Sequence, residues 1–302
     1  MPAQYTIPEL IAREKECVMV PCIFDCGSAL AAKLSGAKAI LLSGGELGES
    51  MMGCIEPMLT TDEVVGAVER ICAFSDLPLI VDVSAGFETP LSAYRTAHRM
   101  AAGGAMALLL GNEPGQTWEE YRSILKACLK AVEGTPCIVI ARKNGLIDDD
   151  NDREECTRQL TEAVELGACG TMACGLCRTP RSREFAKIIG ERVPGWKFYP
   201  DQNAVNGVPD VDNDEIYSQG FAMISYHYMM KVALAAMWEY GLKNMQSRNN
   251  VPSIEMTFPN GVKGASALPI FNMQRLYDLE AQFTGVRKVF KVPGTIPGRE
   301  NG

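Results

Sequence analysis

The sequence predicts an α/β fold, a (β/α)8 barrel of the TIM type followed by a C-terminal helical arm, and three observations carry that prediction. Short apolar runs alternate with helical stretches eight times over roughly 230 residues, the size and period of such a barrel. The run Leu79-Ile-Val-Asp82 is apolar without interruption until it ends in a carboxylate and a Gly-bearing loop, as a strand covered on both faces does where it reaches a site. Beyond residue 245 no strand period recurs. A doubly wound sheet is the second choice.

Taken in order, residues 1–16 read as a short amphipathic helix with Ile7, Leu10 and Ile11 at helical spacing. Strands are expected at 18–24, 39–43, 79–82, 106–110, 137–142, 171–173, 197–199 and 223–225. Helices are expected at 28–34, 61–74, 91–102, 118–132, 152–166, 181–189, 213–217 and 227–240. Several open on capping chemistry, such as Thr61-Asp62-Glu63 and Asp150-Asn151-Asp152. The tail holds one further helix, 271–283, between Pro- and Gly-rich ends. No linker divides the chain before it, so residues 1–245 form the barrel with its N-terminal helix and 246–302 the extension.

Composition narrows the function. With 47% apolar and 22% charged residues among 302, the chain can bury a large core. A net charge of −8 and a pI near 5.0 exclude partners that demand basic patches, so neither nucleic acid nor an anionic membrane is expected. No apolar run approaches the roughly 20 residues of a membrane span. The 11 cysteines, an odd number without a secretion signal, fit a reduced cytoplasmic location. Cys174-Gly-Leu-Cys177 lacks a second ligand pair or a nearby His, so neither structural zinc nor a thioredoxin-type pair is expected. Two histidines, His98 and His227, leave no room for a His-rich metal site; His98 reads as a surface or packing residue of its helix.

In a barrel, the residues just past each strand face one pocket. They are Ser43-Gly44-Gly45, Asp82 with Ser84, Asn112 with Glu113, Arg142 with Lys143 and Asn144, Cys174, Asp201 with Asn203, and Ser225 to His227, with Glu46 and Glu56 in the loop after the second strand. Carboxylates for a hard cation, an Arg fork for a carboxylate and Gly-flanked amides for an oxyanion suit a small organic acid and Mg2+. Each has a bland alternative: Asp82 as a helix cap, the Gly pair as a plain turn, Arg142 in an internal ion pair, Cys174 as inert packing, His227 as the orienting residue of a helix start.

These residues resemble the isocitrate lyase / phosphoenolpyruvate mutase superfamily over residues 17–245. Pro21-Cys-Ile-Phe-Asp-Cys-Gly-Ser-Ala29 resembles the family's PGxFDxxSA opening, Lys38 to Gly44 its KAIYVSG strand, 79–87 its PVIVDADTGF and Ile140-Ala-Arg142 its IAR. Residues 203–207 fall near its NMTEFG segment and 226–240 near its last barrel helix. The resemblance implies a lyase that makes or breaks a C–C bond beside a 2-oxo or 2-hydroxy carboxylate through an enolate, with Mg2+ as cofactor. It implies that Ser43, Gly44, Gly45, Arg142 and Asn203 bind substrate and that Asp82, Glu56 and Glu113 serve the metal. Arg142, Cys174, Lys143 and His227 remain as candidates for the catalytic groups. It also implies a homo-oligomer, dimer or tetramer, with the final helix exchanged between subunits. The chain departs from the pattern at Ser84, which stands for the second Asp of DxD, and at Leu110-Gly111-Asn112, which stands for IED. The gating segment is missing, since Glu113-Pro-Gly-Gln leads straight into Thr117-Trp118. Metal affinity is therefore expected to be weak or lost. An organic-acid-binding barrel without turnover is the alternative function, and phosphonopyruvate chemistry a third.

Overall fold

The computed structural model describes residues 3–53, 58–82, 87–112, 114–261 and 270–289. Its first half runs α1 (Ile7–Arg13), β1 (Val18–Ile23), α2 (Cys26–Leu34), β2 (Ile40–Ser43), α3 (Gly44–Met52), α4 (Thr61–Phe74), β3 (Leu79–Asp82), α5 (Pro90–Ala102), β4 (Ala107–Gly111), α6 (Trp118–Val132) and β5 (Ile138–Lys143). It continues with α7 (Asp150–Glu165), β6 (Gly170–Ala173), a 3-10 helix (Cys174–Arg178), α8 (Ser182–Arg192), β7 (Trp196–Tyr199), the hairpin β8 (Ala204–Val205) and β9 (Val208–Pro209), α9 (Asn213–Ser218) and β10 (Phe221–Tyr226). Three helices follow: α10 (Met229–Ser247), α11 (Val251–Ile254) and α12 (Met273–Thr284).

Eight strands close in the order β1-β10-β7-β6-β5-β4-β3-β2, each parallel to its neighbours, and the expected (β/α)8 barrel is thereby observed. Burial shows why. Strand side chains alternate between an interior apolar cluster and two outer ones, and that period of two sorts most residues to a face. Val20, Cys22, Leu41, Ile80, Ala107, Leu109, Ile140, Met172 and Phe198 fill the barrel interior, where Ile7 and Leu10 of α1 join them. Ile23, Ile40, Leu42, Leu79, Val81, Leu108, Leu110 and Val139 point outward against α2, α4, α5 and α6. Helix entries are fixed by side-chain caps, with reciprocal capping boxes at Thr60/Glu63, Thr89/Ser92 and Thr117/Glu120.

One expectation needs correction. The segment after β2, read as a long loop, begins with a nine-residue helix, because the Ser43 side chain accepts from the Glu46 amide and caps α3. The 3-10 helix after β6 and the β8–β9 hairpin were also not foreseen. The chain divides into two compact units, Met1–Met230 and Lys231–Gly302, and the expected division at residue 245 falls inside α10. Within the second unit, Asn244 donates its side-chain amide to the Ser253 hydroxyl, and Lys288 pairs with Glu280 at 2.9 Å. No helix among the described residues is long and apolar enough to cross a membrane.

Candidate active site

Parity along the strands decides which tip residues share the barrel mouth. On β2, Leu41 points inward and so does Ser43; on β3, Ile80 and then Asp82; on β4, Leu109 and then Gly111; on β5, Ile140 and then Arg142. Ser43 lies opposite Asp82 in the ladder, and Gly111 opposite Arg142. Arg142 extends across β4, and its Nη1 donates to both Asp82 oxygens. The two side chains are only 14% and 15% exposed, so the ion pair is held out of most of the solvent. Gly111 makes this crossing possible: a Cβ there would stand 2.7 Å from Nη2 and 2.8 Å from Nε of Arg142. Behind it, Asn144 donates its backbone N–H to Asn112 Oδ1 (2.6 Å) and its side-chain amide to the Asn112 carbonyl (2.7 Å), locking the β4 and β5 loops together.

Ser43, Gly44 and Gly45 form the first turn of α3, whose leading amides point toward the strand tips' end of the barrel and have no carbonyl partner within the helix. Glu46 follows, buried, with one carboxylate oxygen lacking a hydrogen-bond partner among the described residues. Burial raises its pKa, against the opposing field of His227.

His227 stands just past β10, and Asp201 just past the neighbouring β7. Asp201 accepts from the His227 backbone N–H at 3.0 Å through one oxygen and meets the ring Nδ1 through the other. Burial alone would lower the His227 pKa; the Asp201 hydrogen bond and charge, with the fields of Asp82 and Glu46, outweigh it and raise it. Cys174 opens the 3-10 helix at the β6 tip. The Cys177 side chain beside it lowers the Cys174 pKa despite burial, and the Arg142 and Arg178 charges act in the same direction.

Three expected roles change. Lys143 has the outward parity of β5 and lies in the field of Glu155 and Cys156 on α7, away from the mouth. Asn203 gives its side-chain amide to the Cys177 carbonyl and its backbone N–H to Asp210 Oδ1 at 3.0 Å, so it anchors a loop and is not poised on a ligand. Asp82, read as a metal ligand, has both oxygens engaged by a guanidinium; a hard cation would need those same lone pairs. Glu56, Glu113 and Ser84 lie outside the described residues, and no group of three or more His, Cys, Asp or Glu able to hold a metal exists among the described ones. The described donors therefore do not fit Mg2+.

Sequence reasoning overlooked what Asp201 and Gly111 do. Both were visible as tip residues; what was missing was strand order for the first and inward parity for the second. A recess of about 840 Å3 on the outer face of α7 is lined by solvated charges such as Glu154, Glu162 and Arg192 and holds none of this chemistry.

The sequence pattern of the phosphoenolpyruvate phosphomutase family matches residues 9–245. A 2-methylisocitrate lyase of Salmonella typhimurium strain LT2 is 33% identical over 230 residues, 72% of this chain and 75% of its own. A chloroplastic carboxyvinyl-carboxyphosphonate phosphorylmutase of Arabidopsis thaliana is 24% identical over 241 residues, 71% of this chain. The chain spans 66% of that protein's length, and 49% and 34% of two further curated relatives. The crystal structure of a 2,3-dimethylmalate lyase superposes with a TM-score of 0.78 at 22% identity, covering 90% of this chain and 96% of the other. That likeness bears on the fold alone.

Proposed function

This chain belongs to the phosphoenolpyruvate phosphomutase family, and from that premise we propose that it is a carbon–carbon lyase acting beside a small 2-oxo or 2-hydroxy carboxylate through a stabilised enolate. The observation that carries the reading is the Asp82–Arg142 pair set beside the Ser43-Gly44-Gly45 helix start. The amides and the guanidinium hold the substrate's carboxylate and meet the negative charge that develops as the bond breaks. Cys174 and His227 divide the proton work because their surroundings push their pKa values in opposite directions, thiolate favoured in one and imidazolium in the other. Cys174 accepts the hydroxyl proton of a 2-hydroxy diacid. The C–C electrons pass to the departing enolate, and His227, oriented by Asp201, returns a proton to its carbon. Arg142, rather than Mg2+, supplies the counter-charge in this reading.

The closed Asp82–Arg142 pair also favours a second reading, a barrel that binds an organic acid without turnover. One experiment separates them: C4 to C7 hydroxy- and oxodiacids are incubated with the protein and assayed for pyruvate, glyoxylate or oxalate. Release that falls at least about 100-fold in Arg142→Ala supports the lyase, on the scale of losing an oxyanion-stabilising group. Binding of a diacid with no release supports the second reading, and phosphonopyruvate consumption would move the function to phosphoryl rearrangement.

A homo-oligomer and a reducing cytoplasmic setting belong to the same proposal. The latter is supported by the buried free thiols of Cys17, Cys22, Cys128, Cys137 and Cys156. The former is supported by the exposed Met19 on β1 (52%), beside a groove of about 550 Å3 lined by Val18, Tyr226 and Tyr228, and by exposed Trp238, Met245 and Phe283 in the second unit.

A further inference from the structure

The motif Cys174-Gly-Leu-Cys177 is set in a conformation whose geometry suits a bond between its ends. It forms a 3-10 helix, not the first turn of an α-helix. A 3-10 helix has 3.0 residues per turn, so side chains at i and i+3 eclipse. At ~2 Å rise per residue, positions 174 and 177 lie ~6 Å apart, inside the Cα separation that disulfides span. Cys177 is already folded back, its Sγ donating to the Cys174 carbonyl at 3.2 Å. Both residues are partly exposed. Two contacts hold the turn. Asn203 donates to the Cys177 carbonyl, and Gly175 packs so closely on the β5–α7 loop that a Cβ would stand 2.7 Å from the Gly145 carbonyl oxygen.

We propose that Cys174 and Cys177 are a reversible thiol–disulfide pair at the barrel mouth that exchanges with low-molecular-weight disulfides. Cys174 attacks one sulfur of the small disulfide. That S–S bond breaks, its electron pair leaves on the released thiolate, and a mixed disulfide forms. Cys177 then gives up its proton and attacks the Cys174 sulfur, expelling the second small thiolate. Two protein thiols are oxidised, one small disulfide is reduced to two thiols, and the two thiol protons end on them.

Other cysteines are poor competitors. Burial pushes the thiols of Cys17, Cys128, Cys137 and Cys156 up to about 12, while Cys174 is lowered by the Cys177 side chain and by the charges of Arg142 and Arg178. The proposal departs from the sequence expectation for this pair, because it rests on the 3-10 turn that the sequence did not reveal. Oxidation links the two ends of a turn packed on the β5–α7 loop, so the disulfide form should bind anions differently. The pair itself does not depend on the lyase reading, because its readout is mass, not turnover.

The full chain is equilibrated with oxidised and reduced glutathione at a series of ratios, quenched with acid, alkylated and digested. In the oxidised buffers the peptide holding residues 174–177 is expected to lose both alkyl groups together and to run two hydrogens lighter than the dithiol peptide, reverting in the reduced buffers. In Cys177→Ala, Cys174 should instead collect a single glutathione and keep it until reductant is added. Full alkylation of both thiols throughout, or stable glutathione adducts on the unsubstituted chain, would overturn the proposal.

Discussion

Arg142 reaches across the tip of β4 to Asp82, and that contact sets the charge a ligand meets at the barrel mouth. Alone on its strand, a mostly buried guanidinium costs several kcal/mol in desolvation; paired with Asp82, it is neutralised. His227 works by the same balance. Its raised pKa means that the stabilisation from Asp201 is fully present below the unfolded value of 6.5 and is lost as pH rises through the raised folded value. Because only two histidines exist, ring-proton NMR resolves this residue. Asp201→Asn should bring the His227 titration down to or below the ordinary histidine range. An unmoved His227 titration would mean that the carboxylate does not hold the ring.

At the scale of elements, the interior parity of β2, β3, β4 and β5 does the positioning, and much of it could be read in the sequence. The runs Leu79-Ile-Val-Asp82 and Cys137 to Arg142 show both their apolar strand and the polar residue at its end. Other parts were hidden for physical reasons. Helix α3 starts with two glycines, the weakest helix formers short of proline, and exists because Ser43 caps it and Leu47 is buried. The Asp82–Arg142 contact joins residues 60 apart through the gap at Gly111, which looked like the loss of a metal ligand and is instead the passage for a guanidinium. Gly111→Ala tests this. The added methyl meets the Arg142 fork and the Asn144 side-chain amide, so thermal stability should fall modestly while oxalate affinity falls about tenfold, a loss of ~1.4 kcal/mol. Unaltered affinity would contradict the passage.

Across the whole molecule, the barrel accounts for residues through β10, and its parallel strands bring all eight tips to one end. The eight-fold alternation made the barrel legible, whereas the division into two units at Met230 was not, since α10 reads as one uninterrupted helix. Its run from Val232 to Met245 exposes large apolar side chains, as do Leu276 and Phe283 on α12. Such surface exceeds what isolated chains usually leave bare. Light scattering at micromolar concentration should therefore give a mass at least twice the 32.9 kDa of one chain; a monomer would remove the oligomer from the proposal.

The central claim is that a guanidinium–carboxylate pair beside a helix start steadies one small anion without a divalent cation taking Asp82. Titration calorimetry with oxalate, run once in excess chelator and once in excess Mg2+, addresses it directly. The account predicts one oxalate per chain, the same affinity in both buffers and no binding in Arg142→Met. Heat that appears only when Mg2+ is supplied would contradict it.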